Sequence, residues 1–188
     1  MPQVVVYDAN VLYPSTLRDV LIRAGLARLV QPKWTDRILD EVFSNLQTNR
    51  PDLDPTRLKR TRLLMNQAIR DVTVSGHEHL IEQLELPDLD DRHVLAAAIH
   101  AGAQTIVTRN LRDFPDDGLG PWGIQAQHPD AFLTRLQETH PDALSRIVTE
   151  IARVWGGDTA ASAVLDRLAV DAPQAADMIR QALENPTA

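Results

Sequence analysis

With 188 residues, 44% of them hydrophobic and 24% charged, the chain suits one domain with a real core, or one domain plus a small appendage. It has no cysteine and no apolar run near the ~18 residues that cross a membrane, which excludes disulfides, thiolate metal sites and a membrane-spanning helix and points to the cytoplasm. The net charge of -7 excludes a simple phosphate-binding coat, which would be basic, but not a site in which clustered acids hold a metal and the metal meets the phosphate.

The N-terminus lacks the basic region and long apolar stretch of a signal peptide, and none is expected. Gln3 to Tyr7, short and β-branched, reads as a buried strand ending at Asp8. Pro14 then opens a helix with Leu17, Val20, Leu21 and Ala24 near helical spacing, and Gly25 marks a break near its end. Val30 precedes a Pro-Lys-Trp turn, and Thr35 is the expected N-cap of a helix that carries Ile38, Leu39, Val42, Phe43 and Leu46 on one face. Asn49 to Pro55 reads as a loop, Leu58 to Ile69 as a helix and Val72 to Val74 as a short strand. Asp88 to Asp90 form a turn and cap before the helical run His93 to Ala101, which Gly102 terminates.

Thr105 to Val107 is a second clear buried strand, Asp113 to Gly123 a loop, and Ile124 to Ala126 a last strand. Strands alternating with helices imply an α/β fold with a parallel sheet. After His128 only helical stretches follow: Ala131 to Gln137, Ala143 to Val154, Thr159 to Leu168 and Pro173 to Leu183. Residues 1–128 are therefore expected as the α/β domain and 129–188 as an all-helical C-terminal extension.

Sites in open α/β sheets form beyond the carboxyl ends of strands. Asp8 ends the first strand, and Asp113 lies in the loop after the Thr105–Val107 strand. Asp88, Asp90 and Asp91 open a helix where one or two acids would suffice as caps, and Glu41 sits mid-helix beside Asp40. Four carboxylates from four elements could supply the oxygens that one or two hard divalent cations require. Aspartate after a strand is also a common turn residue, so spacing alone leaves a plain structural reading open.

These segments resemble a PIN-domain ribonuclease of the VapC-toxin kind. VVVYDANVLYPS is similar to the family's opening strand with its Asp-x-Asn/Ser-x-Leu signature. TDRILDEVFSNL resembles the helix bearing the second acid, and LPDLDDRHVLAAAIHAGAQTIVTRNLRDFP the third segment and the strand-end motif. The resemblance covers roughly residues 3–128 and implies a PIN-like α/β/α sandwich with a short parallel sheet. It carries an acidic quartet onto Asp8, Glu41, Asp91 and Asp113, as catalytic residues and as ligands of Mg2+ or Mn2+. Asn10, Thr108 and Asn110 become supporting polar groups; many family members have aspartate where this chain has Asn110. The resemblance further implies cleavage of single-stranded RNA by activated water, a small DNA-binding antitoxin as partner, and a homodimer.

Arg109 and Arg112 flank this site and are candidates for substrate phosphate contact. Arg57, Lys59, Arg60 and Arg62 form a basic cluster that reads as a solvated helix face before it reads as an RNA grip. The histidines form no metal site; His93 and His100 share a helix face about two turns apart and are expected at the surface or in packing. Trp34, Trp122 and Trp155 are expected as packing anchors. Two other functions remain: a catalytically inactive PIN-fold binding module, and a magnesium phosphohydrolase of the haloacid-dehalogenase kind, which would want Asp where Asn10 stands.

Overall fold

A computed structural model describes residues 2–157 and 160–185. Thr159, the expected start of the third C-terminal helix, and residues 186–188 of the expected extension lie outside them.

Strands β1 (Gln3–Tyr7), β2 (Val30–Lys33), β3 (Thr105–Val107) and β4 (Gln125–Gln127) form one parallel sheet in the order β2-β1-β3-β4. Around it lie α1 (Ala9–Leu12), α2 (Ser15–Leu26), α3 (Asp36–Asn49), α4 (Pro55–Ala68), α5 (Glu78–Ile81), α6 (Arg92–His100) and α7 (Asp116–Leu119). The chain thus has the expected α/β/α architecture with a short parallel sheet. The central strands are apolar without alternation because both their faces are covered: Val5, Val6, Tyr7, Ile106 and Val107 have no exposed surface.

Several local expectations need correction. The Pro-Lys-Trp stretch is not a turn, for Val30 to Lys33 pair with Gln3 to Val6 as the edge strand β2. At an edge, Pro32 removes no ladder hydrogen bond that a neighbour needs. Val72 to Val74 form no strand but a single bridge, Thr73 to Trp34. Residues 113–123 are not plain loop; they contain α7 and a 3-10 turn, and β4 begins one residue later than expected. Gly25 does not break α2. It lets that helix press onto β2, since a Cβ there would sit 2.5 Å from Pro32 Cγ and 2.8 Å from Ile69 Cδ1. Of the three tryptophans only Trp34 is fully buried, donating its indole N–H to Asn66 at 2.8 Å; Trp122 and Trp155 are exposed.

Four further helices follow β4: α8 (Pro129–Thr139), α9 (Pro141–Trp155), α10 (Ala160–Leu168) and α11 (Pro173–Glu184). In α9, Leu144, Ile147, Val148 and Ile151 recur at the spacing of one buried helix face. Phe132 of α8 meets Tyr7 of β1 edge to face, with ring centroids 6.2 Å apart, and Arg23 of α2 pairs with Glu150 of α9 at 3.2 Å. Buried residues from Val5 to Ile179 form one hydrophobic cluster, so these helices share a core with the sheet.

Candidate active site

The strand order turns from leftward to rightward between β1 and β3, and at such a switch point the loops part and leave a crevice. Asp8 and Thr108 follow β1 and β3 directly and are both buried. The Asp8 backbone N–H still donates to Val107 at 3.1 Å, which holds the two strand ends together. One Asp8 carboxylate oxygen accepts the Ala9 N–H at 2.7 Å and so caps α1. The other accepts the Thr108 hydroxyl at 2.7 Å and the Asn10 amide at 2.6 Å. Asn10 in turn accepts the Arg109 backbone N–H at 2.9 Å. Burial pushes the Asp8 carboxyl above the usual range; the Thr108 and Ala9 hydrogen bonds pull it down, Glu41 adds to the rise and His93 opposes it.

Glu41 reaches the cleft from α3, whose start is capped by Thr35 accepting the Ile38 N–H at 3.1 Å. Its carboxylate lies 2.9 Å from His93 Nε2 and 3.7 Å from Arg37 Nε. His93 was expected in packing or at the surface; it is 1% exposed and aimed at an acid of the cleft. The sequence signal was a histidine within an otherwise apolar stretch of α6, where a buried ring requires a partner.

Asp91 sits at the junction of a 3-10 turn, Leu89 to Asp91, and α6. The Asp88 side chain opens that turn by accepting the Asp90 N–H at 2.9 Å. Residues three apart eclipse in a 3-10 turn, which brings Asp88 beside Asp91. Asp113 completes the group: one ligand atom from each of Asp88, Asp91 and Asp113 lies within 4.8 Å of the others. Asn110 holds Asp113 by donating its amide to that carboxylate, and the Asn110 N–H donates to the Thr108 hydroxyl at 3.0 Å. Asp91 is pushed up to about 7, first by burial and then by the charges of Asp8, Asp88 and Asp113.

The expected quartet therefore divides. Asp91 and Asp113 gather with Asp88, while Asp8, Glu41 and Asp91 line an open cleft of about 460 Å³ with Asn10, Tyr13, Asn45 and Asn49. Arg109 is also on its wall. Arg112 is exposed and has no ion pair among the described residues. The basic face of α4 is solvated as expected, with Arg62 engaged by Asp36 and Asp40.

The donor set fits a hard divalent cation. It is all carboxylate oxygen, drawn from several elements, and its mutual repulsion is the kind a bound cation relieves.

A profile of the PIN domain matches residues 4–112, more than half of the chain. The chain belongs to the PIN-domain family. That membership overturns the haloacid-dehalogenase alternative. A 92-residue stretch is 38% identical to the Mycobacterium tuberculosis protein named "Putative ribonuclease VapC50". The stretch covers 48% of this chain and 54% of that protein, so the chain spans about half the length of the relative it matches. No solved structure matches the chain. Among the described residues, no helix is long and apolar enough to cross a membrane.

Proposed function

We propose that the chain is a metal-dependent endoribonuclease that hydrolyses single-stranded RNA phosphodiesters. The observation that carries this is that Asp8, Glu41 and Asp91 share one cleft at the switch point of a PIN fold, while Asp91 also gathers with Asp88 and Asp113. In this reading Asp8, Glu41, Asp91 and Asp113 hold Mg2+ or Mn2+, with Asp88 as a further ligand beside Asp91. A divalent cation in such a site makes a bound water nucleophilic at neutral pH and offsets charge on the phosphate. Thr108 and Asn10 hold the Asp8 carboxylate in place by the two hydrogen bonds described above. His93 fixes the rotamer of Glu41, and Asn110 does the same for Asp113. Arg109, at the rim, is placed to meet a substrate phosphate, and Arg112 is a weaker candidate that RNA would have to bring in.

The similarity to a protein named as a VapC ribonuclease supports a toxin of a type II toxin–antitoxin pair. A small DNA-binding antitoxin, a homodimer and a cytoplasmic location belong to the same proposal. We also propose residue 128 as the boundary between the nuclease domain, residues 1–128, and the helical extension, residues 129–188.

The test is incubation of the purified protein with single-stranded RNA in Mn2+, Mg2+ or EDTA, beside folded Asp8→Asn. Cleavage that needs metal and is lost in the variant is the expected result. No cleavage, together with no metal binding by calorimetry, would leave a PIN-fold binding module instead.

A further inference from the structure

Arg109 is the one basic side chain on the wall of the acidic cleft among the described residues. Every other charged group there is a carboxylate, which repels both an RNA backbone and any anion. An unrestrained arginine beside Asp8, Glu41 and Asp91 would fold inward onto them and occupy the place a cation needs. Something must therefore hold it outward.

That hold comes from outside residues 4–112, the stretch the family profile matches. In the turn between α10 and α11, Asp171 places Oδ1 3.1 Å from Arg109 Nη1. This is not an ordinary surface ion pair. The Asp171 side chain is 8% exposed, whereas that of Arg109 is 45% exposed. The turn is itself tied down: the Asp171 and Ala172 N–H groups both donate to the Leu168 carbonyl, at 3.0 and 2.8 Å, and Ala172 is fully buried. From the other side, the Arg109 backbone N–H is bonded to Asn10, beside Asp8. The guanidinium is thus tied at one nitrogen, and its other N–H groups have no partner among the described residues.

We infer that Asp171 is a positioning residue for RNA binding, by which the helical extension holds the Arg109 guanidinium at the rim of the cleft, ready for a substrate phosphate. The inference rests on the ribonuclease reading. Restraining an arginine removes rotamer freedom before RNA arrives, so less is lost on binding. The helices after β4 then contribute to the RNA-binding face as well as to the core.

The test is a double-mutant cycle in the full chain with Asp171→Asn, Arg109→Ala and the pair, using single-stranded RNA. Affinity is read by fluorescence anisotropy in EDTA, where no cleavage occurs, and KM and kcat in Mn2+. Asp171→Asn is expected to weaken affinity and raise KM about tenfold, the order of one charge-assisted hydrogen bond, with kcat little changed. In the Arg109→Ala background it should do nothing further. Asp171→Ser serves as a second variant should the asparagine perturb folding. Unchanged or tighter RNA binding in both variants, or effects that simply add, would overturn the inference while leaving the nuclease reading intact. If the wild-type chain neither binds nor cuts RNA, both fall together.

Discussion

Replacing Asp91 by asparagine should stabilise the metal-free protein at pH 8 while weakening metal binding. Asp91 carries a carboxyl pushed from the ordinary 3.8 to about 7, by burial and by Asp8, Asp88 and Asp113. The folded state therefore keeps a proton that the unfolded state has released. Stability from this group is fully present below pH 4 and is lost as pH rises through 7. A shift of that size corresponds to roughly 4 kcal/mol if wholly expressed. The side chain is only half-buried, and screening by water reduces this to about 2 kcal/mol. For a chain of this length that is about 4 to 8 °C in Tm.

The assay is thermal unfolding in EDTA from pH 5.5 to 8. Wild type should lose stability over that window, and Asp91→Asn should lose less and melt higher at pH 8. Saturating Mn2+ should restore the wild type and do little for the variant. If Asp91→Asn melts no higher than wild type at pH 8 and keeps the same pH slope, the acids do not crowd one another as described.

The remaining predictions concern the supports of the site and the core. His93→Gln should lower Mn2+ affinity about 10- to 100-fold, the usual cost of losing a group that orients a ligand, as measured by calorimetry on folded protein; unchanged affinity would mean that Glu41 needs no support. Gly25→Ala should cost about 1–3 kcal/mol in urea unfolding with metal binding intact, because its Cβ would overlap Pro32. Phe132→Ala should cost about 3–5 kcal/mol, and circular dichroism and tryptophan fluorescence should report one shared transition; two separate transitions would contradict the single core.

Much of the sheet was legible because β1 and β3 are apolar runs ending at chemistry-bearing residues. A strand buried on both faces has to be apolar throughout, and that demand is local. The edge strand β2 was not legible, since Pro32 reads as a turn until the order of the strands places β2 at the edge of the sheet. Gly25 misled for a related reason. Its absence of a side chain serves a contact with Pro32 and Ile69, which are distant in sequence.

At the site, Asp8, Asp113 and the acids before α6 stood out in the sequence because acids at strand ends and helix starts leave marks within a few residues; the mid-helix Glu41 and the choice of Asp91 came from the resemblance to PIN-domain ribonucleases. The sequence could not show that a 3-10 turn sets Asp88 beside Asp91, that buried His93 points its Nε2 at Glu41, or that Asp171 reaches Arg109, 62 residues away in the chain. Those pairings are between side chains from separate elements. Local propensity carries no record of them, and only the packing of one core brought them within hydrogen-bonding distance.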